Sequence, residues 1–182
     1  MFRLDATTAC GDTFPTKIGD CQLSLSEPRY ITSLAPRAGQ KQALSRMLDD
    51  DYGIGLPDWG KLHARDSNFI CPFGHAHYFL FGERSAMHLD GVAHVTDQSS
   101  AWATIAMDSP QIVDILARLA PVDLNTAVFP ANTVAQTEAA RIHTLLFRIS
   151  TTEFRVMAPR SMAKALAAAV IRAAHDVSKR PD

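Results

Sequence analysis

The stretch WATIAMDSPQIVDILARLAP, residues 102–121, changes its periodicity half-way along, and that change decides the fold class. WATIAM is a short apolar run of the kind that forms a strand. Beyond it, Ile112, Ile115, Leu116 and Leu119 recur three and four residues apart, the buried stripe of a helix. Ser109 stands at the N-cap position, and Pro110 stands at the first helical position, where the N–H it lacks would have gone unpaired anyway. Pro121 ends the helix.

Downstream, VDLNTAVFPANTVAQTEA (122–139) reads as a loop. It leads to a hairpin of ARIHTLLFRI (140–149) and EFRVMA (153–158) around Ser150 to Thr152. Ser161 then caps a last helix, in which Met162, Leu166, Ala169, Val170 and Ala173 share one face. The order is β-α-β-β-α.

Upstream, the same order recurs. After Pro36, the residues Ala43, Leu44, Met47 and Leu48 form a helical stripe that stops at DDDYGIGLP (49–57). Two β-like runs follow, NFIC (68–71) and HYFLF (77–81), separated by five residues that include Gly74. QALSRML at 42–48 lies over DILARLA at 114–120, an offset of 72, and ERSAM at 83–87 lies over PRSMA at 159–163, an offset of 76. The sequence therefore predicts an α+β fold of two pseudo-repeated strand-helix-hairpin-helix units, each with an Arg-Ser pair opening its second helix. An extended N-terminal arm (1–26) precedes a first unit (27–95) and a second (96–182), and the two pack into one compact domain because a sheet with helices on one face needs a cover for the other.

With 182 residues, 47% of them hydrophobic, the chain is long enough for a substantial core. Eighteen basic residues balance nineteen acidic ones and are scattered, so the electrostatic footprint of a nucleic-acid or anionic-membrane binder is missing. No run approaches signal-peptide or membrane-spanning length, and a cytoplasmic protein is the expectation. Cys10, Cys21 and Cys71 have no CxxC spacing, which suits reduced thiols better than a disulfide framework.

FICPFGHAHYFLFGERSAM (69–87) holds the densest set of candidate ligands, Cys71, His75 and His77. Two imidazoles on one strand face and a thiolate across a turn could reach one ion, yet a structural zinc wants four ligands and no second cluster supplies the fourth. His77 also alternates in phase with Phe79 and Phe81, which places it towards the core, so a plain hairpin is the stronger reading. LDDDYGIG (48–55) lacks the alternating oxygens of a calcium loop, and its acids belong in solvent beyond a helix end. Arg84-Ser85 and Arg160-Ser161 could hold an anion at a helix start, although an N-cap beside a surface arginine is the stronger reading. His143 lies in an apolar strand pattern, as a structural histidine does. No GxGxxG, GxxxxGK[ST], GxSxG or HExxH occurs, so no catalytic residue and no metal ligand is assigned. Trp102, Phe129, Phe147 and Phe154 give ample core and an apolar face, as in a subunit that works by packing against partners.

HVTDQSSAWATIAMDSP (94–110), DILARLAPVDLNTAVFPANTVAQTEAARIHTLLFRI (114–149) and EFRVMAPRSMAKALAAAVIRAA (153–174) resemble the gamma subunit of heterotetrameric sarcosine oxidase. The resemblance rests on the order of VTDQS, the proline-ended helix with VDL after it, the FP and AQT landmarks, and PRS opening the last helix. It covers roughly residues 30 to 174. It implies the α+β fold shared with the folate-binding domains of aminomethyltransferases such as the glycine-cleavage T protein. It further implies alpha, beta and delta partner subunits that demethylate sarcosine to glycine, yielding peroxide and methylene-tetrahydrofolate. FAD, FMN, NAD and tetrahydrofolate would sit in those partners and no cofactor in this chain, which would be non-catalytic. A stand-alone folate-binding one-carbon protein is the alternative, and a metal-binding protein a lesser one. The CPFGHAH turn departs from the family, where this hairpin usually has a glycine-rich turn followed by an aromatic.

Overall fold

The structure, a computed structural model, describes residues 7–26 and 28–180. Among these described residues, eleven strands form two antiparallel sheets. In chain order they are β1 (Thr16–Ile18), β2 (Cys21–Ser26), β3 (Tyr30–Pro36), β4 (His63–Arg65), β5 (Asn68–Pro72), β6 (Tyr78–Gly82), β7 (Ala93–Asp97), β8 (Trp102–Asp108), β9 (Thr133–Ala139), β10 (Ile142–Arg148) and β11 (Glu153–Pro159). Three helices accompany them: α1 (Lys41–Tyr52), α2 (Ile112–Leu116) and α3 (Ala163–Ser178).

The six-stranded sheet runs β1-β2-β8-β11-β10-β9 and the five-stranded sheet β4-β5-β6-β3-β7. β9-β10-β11-β8 and β4-β5-β6-β3 thus follow one path, each a three-strand meander returning beside the strand that preceded its helix. Each path is completed by one further strand, β2 from the N-terminal segment and β7 from the junction of the two halves. β2 pairs with β8, and β7 pairs with β3. The segment expected as an extended arm accordingly supplies β1 and β2 to the larger sheet.

Three buried clusters stack these layers. Leu44, Leu48 and Tyr52, spaced four apart on α1, pack on Leu34, Ile70, Tyr78 and Leu80. On the opposite faces of the same strands, Ile31, Cys71, Phe79 and Phe81 meet Val134, Leu145, Phe147 and Met157 of the larger sheet. The outer face of that sheet, with Ile105, Met107, Leu146 and Val156, is covered by Ile112, Ile115 and Leu116 of α2 and by Leu166, Val170, Ala173 and Val177 of α3. The order is helix, sheet, sheet, helices.

Several local expectations change. The run 122–139 is not all loop: its last seven residues are β9, paired with β10 from Ala139↔Ile142 to Thr133↔Arg148. Its alternation is weak because β9 lies at the sheet edge, with Gln136 and Glu138 exposed. The α2 helix is five residues long, and Ser109 bonds the N–H of Gln111 ahead of it, a turn rather than a cap on a long helix. α3 follows a 3₁₀ turn at Arg160–Met162, so Ser161 makes no cap bond and Met162 is 40% exposed instead of lying on the buried face. The pair Arg84-Ser85 opens only a 3₁₀ turn, Met87–Gly91, and no second helix of the first half forms there.

Candidate functional site

The interior between the sheets is aromatic because two strands buried on both faces leave no room for polar alternation. Phe69 stacks on Phe81 with centroids 4.0 Å apart, and Phe73 stacks on Phe79 at 4.3 Å. The Trp102 indole meets Phe73 and Phe79 edge-on, at 5.6 and 5.4 Å. Its ring N–H is buried and has no hydrogen-bond partner, which marks this end of the core as imperfectly closed.

Trp102 borders two hollows. One, of about 320 Å³, opens where the chain crosses between sheets and is lined by Ser26, Ser99, Thr104 and Arg160. Two bonds fasten this crossing: Ile31 donates its N–H to Ser99 Oγ at 3.0 Å, and Gln98 donates to Ile31 O at 2.8 Å. The Ser99 hydroxyl and amide both donate to Asp97, and these bonds hold its carboxyl below the usual range. Arg160 donates to the Thr7 carbonyl.

The other hollow, of about 400 Å³, runs between Phe73, Trp102 and Leu145 towards Gln136, Glu138 and His143 of the β9-β10 ladder. A neighbouring hollow of about 260 Å³, walled by Trp59, Pro72 and Phe129, shares Gln136 with it. Trp59 is 65% exposed, the highest value among the large exposed hydrophobic residues. It is displayed by a turn in which Lys61 donates to Asp58 O, with Gly60 at φ 76°.

The residues singled out in the sequence are dispersed. Cys71 is fully buried on β5, and burial pushes its thiol well above the ordinary range. His75 and His77 are exposed in the turn, which Phe73 closes by donating to His77 O at 2.7 Å. The hairpin is present, but His77 does not face the core: β6 starts at Tyr78 and is buried on both faces, so the alternation with Phe79 and Phe81 does not extend back to position 77. Among the described residues no group of three or more His, Cys, Asp or Glu side chains stands close enough to hold a metal ion. Asp49, Asp50 and Asp51 lie within the last turn of α1 rather than beyond it, and Asp51 accepts from His88 at 2.9 Å. Arg84 donates to Asp51 O and lies 5.0 Å over the Tyr52 ring. His143 is exposed, 3.7 Å from Glu138, and not a core residue. Sequence reasoning missed Trp59. The only signal was a lone Trp in the Pro-Asp-Trp-Gly turn at 57–60.

This layered topology can be set against solved structures. A chain of the heterotetrameric sarcosine oxidase from Corynebacterium sp. U-96, determined in complex with pyrrole 2-carboxylate, matches with a TM-score of 0.79 at 20% identity, over 96% of this chain and 93% of that one. The two chains share one fold. The glycine cleavage system aminomethyltransferase T from Bartonella henselae gives a TM-score of 0.49 at 14% identity, over 87% of this chain and 48% of that chain. The regulatory subunit of aspartate kinase from Thermus thermophilus gives 0.39 at 13% identity, over 83% and 95%. No family model and no curated protein matches the sequence. No helix among the described residues is long and apolar enough to cross a membrane.

Proposed function

We propose that the chain is a non-catalytic, gamma-type subunit of a sarcosine oxidase complex. In this reading its alpha, beta and delta partners oxidatively demethylate sarcosine to glycine and pass the one-carbon unit to tetrahydrofolate. The observation that carries the reading is the likeness, over nearly the whole of both chains, to a chain of a heterotetrameric sarcosine oxidase. An exposed Trp59 beside apolar hollows supports it, since tryptophan is enriched where proteins meet. FAD, FMN, NAD and tetrahydrofolate belong to the partner chains, and the three buried thiols suit a reducing cytoplasm. The units 27–95 and 96–182 are the two halves of the fold in this reading, supported by the common strand path of the two sheets.

The test is sarcosine-dependent peroxide formation by the isolated chain and by the complex recovered from the native host. Activity that requires the partner chains is expected, and turnover by the purified chain alone overturns the reading. A second reading, a folate-binding one-carbon protein, is favoured by the hollow of about 320 Å³ with Arg160 at its wall, which has room for a ring and a cation for a carboxylate. Calorimetric titration of the isolated chain with tetrahydrofolate separates the two: saturable heat supports the second reading, and none at high concentration removes it.

A further inference from the structure

The larger sheet ends on β9, and its outer edge is only partly covered. Val134 donates its N–H to Gly60 O at 3.0 Å, and Leu62 donates to Asn132 O at 2.9 Å, so a short piece of the chain pairs with the head of the strand. At Asp58 to Gly60 that piece turns away, and pairing stops beneath Trp59. The backbone N–H of Val134 points away from β10, and antiparallel alternation therefore turns the N–H and C=O of Gln136 and Glu138 away from β10 too. No segment among the described residues pairs with them. Two apolar hollows, one at Trp59 and Pro72 and one at Phe73 and Trp102, lie along this same stretch and meet at Gln136.

Outward backbone groups in an alternating row are matched by another extended backbone, and hollows spaced along the row take its side chains. A small molecule would fill a hollow and leave the row unpaired. Glu138 lines the hollow at Phe73 and Trp102, beside His143, and its carboxylate favours a basic side chain on whatever lies there. The bridge already made by Gly60 to Leu62 gives the register in which pairing can continue.

We propose that β9, over residues 135–139, accepts an extended polypeptide strand of a partner subunit, bearing apolar side chains for the two hollows and a basic one opposite Glu138. This rests on the reading of the chain as a subunit. Strand addition predicts protection of two particular amides, those of Gln136 and Glu138, which side-chain docking alone would leave exposed.

The experiment is amide hydrogen exchange by mass spectrometry over 133–139, in the complex recovered from the native host and in the isolated chain. Slowed exchange at Gln136 and Glu138 in the complex is expected. Partner retention should fall about tenfold in Trp59→Ala and in Gln136→Pro, which removes one outward N–H at an edge position that tolerates proline. Circular dichroism confirms that each variant is folded, and if Gln136→Pro is not, Trp59→Ala and the wild-type exchange decide. Partners retained while these amides exchange at the isolated rate overturn strand addition and leave the subunit reading standing. A wild-type chain that carries no partner removes both. Concentration-dependent protection of the isolated chain, with a doubled mass, makes a second copy the occupant and also overturns the proposal.

Discussion

Arg148 carries its charge into the interior at 2% exposure with carbonyls as partners. It donates to Leu124 O and Phe129 O at 2.8 Å each and to Ser150 O at 3.1 Å, and its guanidinium lies 4.9 Å over the Phe154 ring. One side chain thereby fixes the long connection into β9. Arg148→Met keeps the volume but strands these carbonyls, and the expected loss is about 3 kcal/mol of unfolding free energy, read from urea denaturation. Cys21 carries a pH dependence: burial first, and then the Asp108 carboxylate, push its thiol up to about 11. An unfolded thiol titrates near about 8.5, so the folded value is the higher one. Stability is therefore full below about 8.5 and is lost as pH rises from there towards the folded value. Urea midpoints should decline through that window, and Cys21→Ala should flatten part of the decline, with Cys71 contributing in the same direction. Residue-level readings failed where they assumed one-sided strands. His77 was expected inside because Phe79 and Phe81 are, but β6 is buried on both faces, so alternation carries no information about its neighbours.

At the scale of elements, the stripe of α1 was legible because it is local, whereas its end was placed before Asp49 and lies instead at Tyr52. Leu44 and Leu48 face the sheet, and Gly53 at φ 68° lets its N–H return to Asp49 O. A Cβ at Gly53 would stand 2.7 Å from Arg65 Cδ as well as forcing an L residue into the left-handed region. Gly53→Ala is expected to lower the melting temperature by about 2–4 °C, as measured by calorimetry, for a cost near 1 kcal/mol. The β10-β11 hairpin was equally legible, with its turn at Ser150 to Thr152. β9 was not, because a half-exposed edge strand mixes Thr, Gln and Glu with Ala and Val, and its pairing with β10 is what makes it a strand. The short α2 has a similar cause. Its stripe is real and buried, but the helix ends within five residues and the chain continues through turns to Ala120, which keep Leu119 on the core without extending it.

For the molecule as a whole, the α+β class follows from the helix stripes and hairpins, whereas the partition of strands between sheets does not. β2 leaves β3, the strand that follows it, to pair with β8, and β7 leaves β8 to pair back with β3. Such exchange depends on contacts far apart in the chain, which no local pattern encodes. It also helps hold the molecule as one body: the N-terminal β2 is built into the sheet of the second half, and the aromatic layer joins the two sheets. Among the described residues β9 keeps an unpaired stretch of edge beside the exposed Trp59, which is where the proposed partner strand would lie. Native mass spectrometry, with an absorbance scan, of the chain purified at native expression level from its own host decides whether it is a subunit. This chain is expected to travel with larger chains that carry a flavin spectrum, and a chain that travels alone and colourless would contradict the subunit reading.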